Sequence, residues 1–304
     1  MRLNRPARLR AALVSGALLT ALSLSASARQ KDVLSLFLYK GESEASSAMR
    51  LASWGSGRAE FTRDNILNGD SAIKVTTHGL YQGARFDFKT PVDLTTALGN
   101  KSAFLRMMVR FSGSQQSSFD PGSFQSSQVA ATPFERMRYL AIMADGKQIE
   151  LNRPVDIPPS EDVDAYVPVA FPLAALAKSA GKPLSGEGAK LKSLVVAGDK
   201  YGQFNIGEIG IITDETDISI APLEDQIVFP NQDITFTGNA EGGSSTLKFS
   251  WDWDDKDGVQ EDSVGRTANH TFKKTGKYTV TLTVSDVDGV KKTQTSKIEL
   301  DVQN

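Results

Sequence analysis

Hydrophobic and polar positions alternate in short runs along residues 31–217. Runs rich in branched and aromatic residues are separated by Gly, Ser, Asn and Pro, which is typical of β-strands joined by turns. The clearest runs are SAIKVTTHG, GARFDFKT, AFLRMMVRF, RMRYLAIMA, YVPVAFPL, LKSLVVAG and FNIGEIGIIT, and only LAALAKSAG suggests a short helix. Many short strands with long loops predict an all-β fold, a β-sandwich of jelly-roll type. Segment 112–132, rich in Ser and Gln, is predicted to be one of the loops.

A second series of strands follows residue 217, with the turn signals GG, DG and DG between its runs. Its strands DITFTGNA, TLKFSWDWD, NHTF, KYTVTLTVSD and KKTQTSKIELDV are evenly spaced, which is typical of an immunoglobulin-like sandwich. The sequence therefore predicts two β-sandwich domains, a jelly roll at residues 29–216 and an immunoglobulin-like domain at residues 217–304.

The first 28 residues have the layout of a secretory signal peptide. Four arginines in MRLNRPARLR precede the apolar run AALVSGALLTALSL, and small residues lead up to Ala28. We therefore expect cleavage near Ala28 and a secreted or extracytoplasmic protein, in the periplasm or at the cell surface. The mature chain is expected to contain no transmembrane segment.

Composition excludes several kinds of chemistry. The 304 residues include no cysteine, so disulfides, thiolate metal sites and cysteine nucleophiles are excluded and stability must come from core burial. The formal net charge is −2, and removal of the arginine-rich leader makes the mature chain more acidic. Because nucleic-acid binding needs a basic surface, we expect no nucleic-acid partner.

Within the first domain, strand alternation separates arginines from apolar residues. In AFLRMMVRF and GARFDF, the basic side chains fall on the face opposite the apolar ones, and in FERMRYLAIM Arg136 and Arg138 share one parity. If these strands are neighbours, one sheet carries a basic face that would bind an acidic or sulfated polysaccharide through guanidinium contacts. The alternative is a solvated face with Asp87 and Glu135 as ion-pair partners. The candidate ligand-binding arginines are Arg85, Arg106, Arg110, Arg136 and Arg138.

Aromatic side chains offer a second route to sugar binding, because a pyranose packs its C–H face on a flat ring. Trp54, Tyr81 and Tyr201 lie in glycine-flanked loops and are candidates for such contacts, with His78 close to Tyr81 in the chain. The alternative is that each ring caps the core.

The motifs FSWDWDDKDG and HTFKKTGKYTVTLTVSDVDG resemble the PKD (polycystic kidney disease-type) domain family over roughly residues 218–302. The resemblance implies an immunoglobulin-like fold in which Trp251 is the core tryptophan, Trp253 packs beside it and Tyr278 forms the tyrosine corner. His270 is predicted to be structural. The longer turn 254–258 departs from the Gly-Asp-Gly that is usual in the family.

The first domain has a less specific resemblance. Its closing runs, YVPVAFPLAAL, LKSLVVAG and GQFNIGEIGIIT, are similar to those of carbohydrate-binding, galactose-binding-like jelly rolls. In many such modules a calcium ion joins the first strand to the last, and this implies Glu208 as a candidate ligand.

Calcium binding is also considered for the acidic turn of the second domain. An EF-hand register on Gly258 fails because it places Trp253 and Val264 at ligand positions. Another calcium site using Asp252, Asp254 and Asp257 stays open, beside the alternative of a solvated acidic turn that protects a sheet edge. A structural calcium ion is the only cofactor that the sequence leaves open.

The sequence does not favour an enzyme. Its two histidines lie in different predicted domains, and Gly-x-Ser-x-Gly, P-loop and dinucleotide motifs are absent. The leading hypothesis is a non-catalytic protein whose jelly roll binds a polysaccharide or cell-envelope glycan, with the PKD-like domain as a spacer or interaction module. The alternatives are a structural or adhesive envelope protein acting through contacts with other envelope proteins, and a small polysaccharide-active enzyme.

Overall fold

The computed structural model describes residues 33–111, 134–155 and 165–303. The predicted signal peptide and the predicted polar loop at 112–132 lie outside the described residues. The all-β prediction is confirmed, because strands dominate both halves of the chain.

The N-terminal half forms two antiparallel sheets around one core. Sheet A has the strand order β3-β4-β11-β6-β9, with β1 also paired to β11, and sheet B has the order β2-β5-β10-β7-β8. The elements are β1 (Val33–Tyr39), β2 (Met49–Trp54), β3 (Arg58–Thr62), β4 (Ala72–His78), β5 (Gly83–Asp93), α1 (Thr95–Leu98), β6 (Ala103–Phe111), β7 (Arg136–Met143), β8 (Gln148–Pro154), β9 (Val167–Pro172), α2 (Leu173–Ser179), β10 (Lys190–Gly198) and β11 (Tyr201–Thr213).

Alternation along these strands builds the N-terminal core. Phe86 on β5, Tyr139 on β7 and Leu194 on β10 point between the sheets and are buried, while their sequence neighbours point outward. Phe171 from β9 and Phe204 from β11 fill the opposite side of this core. The predicted short helix is α2, whereas β1, β2, β3 and β8 were not predicted from the sequence.

The C-terminal half is a second sandwich with its own core. A five-stranded sheet has the order β13-β20-β19-β16-β17, and two strand pairs, β14-β18 and β12-β15, complete the structure. Its strands are β12 (Ser219–Ile220), β13 (Gln226–Val228), β14 (Asp233–Thr237), β15 (Ala240–Glu241), β16 (Leu247–Asp252), β17 (Ser263–Val264), β18 (Thr267–Thr271), β19 (Gly276–Asp286) and β20 (Gln294–Val302). The main N-terminal core ends at Ile211, and this second core begins at Ile218.

The two halves touch through the turn between β19 and β20. Val290 of this turn packs against a small buried cluster on sheet A that includes Phe104. Arg153 on β8 forms a largely buried salt bridge of 2.6 Å with Asp288. The same turn also carries Lys291, which donates to the carboxylate of Asp214 at 2.9 Å. Apolar and ionic contacts therefore both join the two sandwiches.

No helix among the described residues is long and apolar enough to cross a membrane.

Candidate functional site

The candidate site lies on the outward face of sheet B. The core side chains of β5, β7 and β10 point inward, so Arg85, Val195 and Leu140 form a row across the outer side, and this row ends at Glu150 on β8. The outward residues of β2, β5, β10, β7 and β8 together are called the sheet B face from here on.

The next row of the sheet B face is closely packed at its centre. Trp54 on β2 pairs with Gly83, and Arg138 on β7 pairs with Ala197 on one side and Asn152 on the other. A Cβ at Gly83 would lie 2.8 Å from the Cβ of Ala197 and closer still to backbone, so only glycine fits here. The close approach of β5 to β10 brings both ends of this row onto one surface.

Arg138 occupies an unusual position on this face. Its side chain is buried, with 5% of the residue exposed, and its Nη2 donates to a carboxylate oxygen of Glu150 at 2.8 Å. The ring of Tyr81 lies over the guanidinium, with the ring centroid 4.7 Å from Cζ. Nε and Nη1 are buried and have no hydrogen-bond partner in the part of the chain that the structure describes. The guanidinium thus keeps donors that no described residue accepts.

Glu150 accepts only one of the hydrogen bonds that this guanidinium can donate. Its hydrogen bond to Arg138 lowers the pKa of its carboxyl, with burial acting in the opposite direction. The second carboxylate oxygen accepts from Asn152 Nδ2 at 3.2 Å. Sequence reasoning missed Glu150 and Asn152, although the alternation in QIELNRP, with Ile149 and Leu151 inward, would have placed both on an outer face.

Two exposed aromatic rings lie at one end of the sandwich, Tyr81 in the β4–β5 loop beside the sheet B face and Tyr201 on the outer side of sheet A. Tyr81 is 65% exposed and Tyr201 is 67% exposed, although most large aromatic residues of the domain are buried. Tyr201 at the start of β11 pairs with His78 at the end of β4, and their rings meet edge-on at 4.9 Å. We call Tyr81, Tyr201 and His78 the tyrosine rim.

A fully buried threonine fixes the backbone beneath the rim. Thr77 Oγ1 donates to the carbonyl of Gln82 at 2.8 Å and accepts from the amide of Gly198 at 3.1 Å. The amide of His78 closes the same loop onto the Gln82 carbonyl at 3.0 Å. These bonds tie the β4–β5 loop, which carries Tyr81, to the end of β10 in sheet B.

The prediction that one sheet carries all five candidate arginines is wrong. Arg106 and Arg110 lie on β6, which pairs with β9 and β11 in sheet A, whereas Arg85, Arg136 and Arg138 lie on β5 and β7 in sheet B. Alternation gives the face on which a residue lies but not the sheet to which its strand belongs. The five arginines therefore lie on two different sheets.

Most of these arginines have a matched partner. Arg106 pairs with Glu208 at 3.2 Å, with both side chains largely buried, and Arg110 donates to Asn65 Oδ1 at 2.5 Å. On sheet B, Arg85 pairs with Asp87 at 3.0 Å, as one interpretation of the sequence expected. Arg136 is exposed at the start of β7, on the same side of the strand as Arg138. Arg138 differs from its neighbour Arg85 because two of its nitrogens, Nε and Nη1, are buried without a partner among the described residues.

The candidate calcium ligands hold other partners. Glu208 faces Arg106, and Asp252 is buried with its two carboxylate oxygens accepting from the amides of Asp254 at 2.9 Å and Gln260 at 2.7 Å. Asp257 is exposed. Among the described residues, no group of three or more His, Asp or Glu side chains is arranged to hold a metal ion. Calcium binding at Glu208, Asp252, Asp254 and Asp257 stays a prediction.

Trp251 and Trp253 belong to the second core, as the sequence predicted. Trp251 is fully buried, its Nε1 donates to the Gly265 carbonyl at 2.9 Å, and its ring stacks on that of Trp253. Trp253 in turn stacks on His270, whose pKa is lowered by burial and partly restored by Asp262. Tyr278 donates to the Lys274 carbonyl at 3.0 Å, which is the bond of a tyrosine corner.

Comparison with known families identifies the second sandwich. The PKD domain family model matches residues 219–302, so the chain carries a PKD domain there, as predicted.

Three solved structures show a more distant similarity. The PKD domain of human KIAA0319 is 14% identical, covers 29% of this chain and 82% of its own, and has a TM-score of 0.24. The xylan-binding domain CBM22-1 of Xyn10C from Paenibacillus barcinonensis is 11% identical over 60% of this chain and 96% of its own, with a TM-score of 0.32. A beta-1,2-glucanase from Parabacteroides distasonis is 10% identical over 90% of this chain, with a TM-score of 0.35, and the match spans 39% of the glucanase. At these identities and scores, the three similarities assign no function to this chain.

Proposed function

We propose that this is an exported, non-catalytic polysaccharide-binding protein, and that its glycan lies on the sheet B face and against the tyrosine rim. The observation that carries the proposal is the ring of Tyr81, which is about two-thirds exposed and lies over Arg138 on this face. An exposed ring offers an apolar surface to the C–H face of a sugar, and burying that surface is favourable.

Polar groups next to the rim supply hydrogen bonds to sugar hydroxyls. Glu150 and Asn152 are exposed on β8, and Ser193 and Asp87 are joined at the middle of the face by a 2.6 Å hydrogen bond. Sugar binding sites combine such fixed polar groups with a small number of rings. Because these groups lie on paired strands, they are held in place before the ligand arrives.

In this proposal the PKD domain spaces and presents the binding domain. The Arg153–Asp288 and Lys291–Asp214 salt bridges and the packing of Val290 hold the two sandwiches together. A fixed arrangement of this kind would orient the glycan site relative to whatever the PKD domain contacts. The export of the chain, with cleavage near Ala28, is part of the same proposal.

Affinity electrophoresis of the full chain tests the glycan proposal. Each gel contains one polysaccharide, either neutral or acidic. We expect retardation by at least one polysaccharide and a loss of affinity of about tenfold in Tyr81→Ala, the loss of one ring contact. Phe229→Ala is the matched control, because Phe229 is also an exposed ring but lies in the PKD half. Unchanged retardation in Tyr81→Ala, or none in the wild type, would contradict the proposal.

The non-catalytic part has its own test. Incubation with each bound polysaccharide is expected to release no reducing or unsaturated ends over time. Time-dependent release that follows the protein concentration would establish an enzyme instead.

One observation favours protein contacts as a second candidate function. Ile227 is 70% exposed and Phe229 is 59% exposed on and next to β13, at an edge of the PKD sheet. Exposed apolar side chains at a sheet edge suit a contact with another protein. This candidate would be supported if cell-envelope fractions retain the wild-type chain and the Tyr81→Ala variant but do not retain the Phe229→Ala variant.

A further inference from the structure

We infer that Arg138 recognises an anionic group, a carboxylate or a sulfate ester, on the sugar that the sheet B face binds. This inference rests on the proposed glycan site and narrows its ligand to an acidic polysaccharide. It starts from a guanidinium that is almost fully buried and still has two nitrogens without a partner among the described residues.

The donors of Arg138 exceed the acceptors around it. A guanidinium has five N–H donors and stays charged at every relevant pH, so it cannot relieve an unmet donor by losing a proton. Glu150 takes one donor, at Nη2, and its other oxygen accepts from Asn152. Leaving buried donors without partners is unfavourable, and buried charged groups in proteins are normally paired. An acceptor from outside the chain would complete this site.

Tyr81 covers the guanidinium and is also the side chain that can uncover it. Its ring stacks on one face of Arg138, yet it is mostly exposed and projects from the β4–β5 loop. Rotation of the Tyr81 side chain would uncover the side of the guanidinium that its ring covers, while Thr77 and Gly198 hold the loop backbone in place. The displaced ring would then offer its face to the sugar that carries the anion.

Charges near Arg138 fit an anion rather than a cation. Arg136 adds an exposed positive charge on the same side of β7. On the neighbouring strand, Arg85 is already matched by Asp87, and Glu150 is neutralised by Arg138 itself. Glu135 near the rim is paired with Lys200. Every carboxylate named here has a basic partner, so the donors left over are those of Arg138.

The test compares charged polysaccharides with uncharged counterparts of the same backbone. Polygalacturonate and its carboxyl-reduced form test carboxylate, and dextran sulfate and dextran test sulfate ester. We expect the wild-type chain to bind one charged polymer at least tenfold more tightly than its uncharged form, since a charge-assisted hydrogen bond is worth about that factor. Which charged polymer binds distinguishes the two anions.

Two arginine variants form the matched pair. Arg138→Gln is expected to lose this charge preference, with affinity for the charged polymer falling about tenfold and affinity for the neutral polymer unchanged. Arg58→Gln is the control, because Arg58 lies on β3 in sheet A and pairs with Glu60 at 3.1 Å, so the loss of its charge is expected to change either affinity less than twofold. Tyr81→Ala is expected to lower both affinities, because it removes the ring contact.

A second variant keeps the inference testable if Arg138→Gln folds poorly. Glu150→Gln removes the competing carboxylate and keeps Arg138, so affinity for the charged polymer should rise, by about two- to tenfold. Equal binding of charged and neutral polymers by the wild type, or a preference that survives in Arg138→Gln, would overturn the anion assignment and leave the glycan site standing. Failure of the wild type to bind any of the four polymers would instead overturn the proposed function.

Discussion

The WDWDD segment and the sheet B face both bring aromatic rings and charged groups together, but they differ in which of these groups have partners among the described residues. In the PKD domain, Trp251 is fully buried and donates to Gly265, and both oxygens of Asp252 accept backbone amides. On the sheet B face, Tyr81 is mostly exposed and lies over a guanidinium with donors to spare.

The difference separates a structural cluster from a binding one. In sequence, WDWDD looks like a sugar platform with carboxylates beside it, whereas Tyr81 and Arg138 lie 57 positions apart and form no motif. Buried rings, together with the hydrogen bonds of the Trp251 indole and of both Asp252 oxygens, show that the first cluster stabilises its own domain. Exposed rings and unmet donors are what a ligand can use. Substitutions in the first cluster should therefore lower stability, and substitutions in the second should lower affinity.

The largest expected effect is on the stability of the PKD domain. Trp251→Ala should lower its free energy of unfolding by about 3–5 kcal/mol, because a fully buried ring leaves a cavity. Urea unfolding followed by the fluorescence of Trp253 measures this, and below the transition the affinity for polysaccharide should be that of the wild type. A loss of affinity in the folded Trp251→Ala protein would contradict the assignment of a purely structural role to the cluster around Trp251.

The next effect concerns the buried carboxylate of Asp252. Asp252→Ala leaves two backbone amides without their acceptor and should cost about 1–3 kcal/mol in the free energy of unfolding. Asp257→Ala is the control, since Asp257 is exposed and should change stability by less than about 0.5 kcal/mol. Both experiments are repeated with calcium and with a chelator. A stability gain with calcium that Asp252→Ala abolishes would show that the acidic turn binds the ion.

A smaller effect is expected at the far side of the tyrosine rim. Tyr201 contacts His78 and lies away from the guanidinium, so Tyr201→Ala should weaken polysaccharide binding by about 0.5–1 kcal/mol, roughly two- to fivefold. Titration calorimetry beside Tyr81→Ala measures the difference. A larger loss of affinity in Tyr201→Ala than in Tyr81→Ala would indicate that the ligand binds mainly at Tyr201 and His78 and not at Arg138.

The smallest effect is a pH dependence of the PKD domain. Burial lowers the pKa of His270, so the folded state favours the neutral ring and binds fewer protons than the unfolded state below the ordinary value of about 6.5. Stability should be complete above that value and fall as the pH decreases through it, by less than about 1 kcal/mol. His270→Gln should remove this part of the pH dependence. If the free energy of unfolding of the variant changes with pH as that of the wild type does, other groups cause the dependence.

Local pattern was enough to predict much of the fold. Alternation in AFLRMMVRF and GARFDF correctly separated inward from outward residues, and the ordered motifs around Trp251, His270 and Tyr278 identified the PKD domain. In these segments the same residues that form the strand also determine which face it buries, so the information is local.

The candidate site depended on long-range pairing that no local pattern contains. Whether β6 joins β5 or β11 decides on which sheet Arg106 lies, and the structure places it with Glu208 rather than with Arg138. Burial of Arg138 and its contact with Tyr81 likewise arise only when β7 and the β4–β5 loop meet at one end of the sandwich. Sequence alone named both residues among its candidates but could not join them.

The central claim is that the unused donors of Arg138 receive the ligand, and the arginine Nε–H resonances report on this directly. The chain is labelled with 15N-arginine, and the Arg138 signal is assigned by its absence in Arg138→Lys. We predict that this signal shifts saturably on titration with whichever charged polymer binds, as short fragments, while the signal of Arg58 on sheet A stays in place. A saturable shift of other arginines with Arg138 unmoved would contradict it.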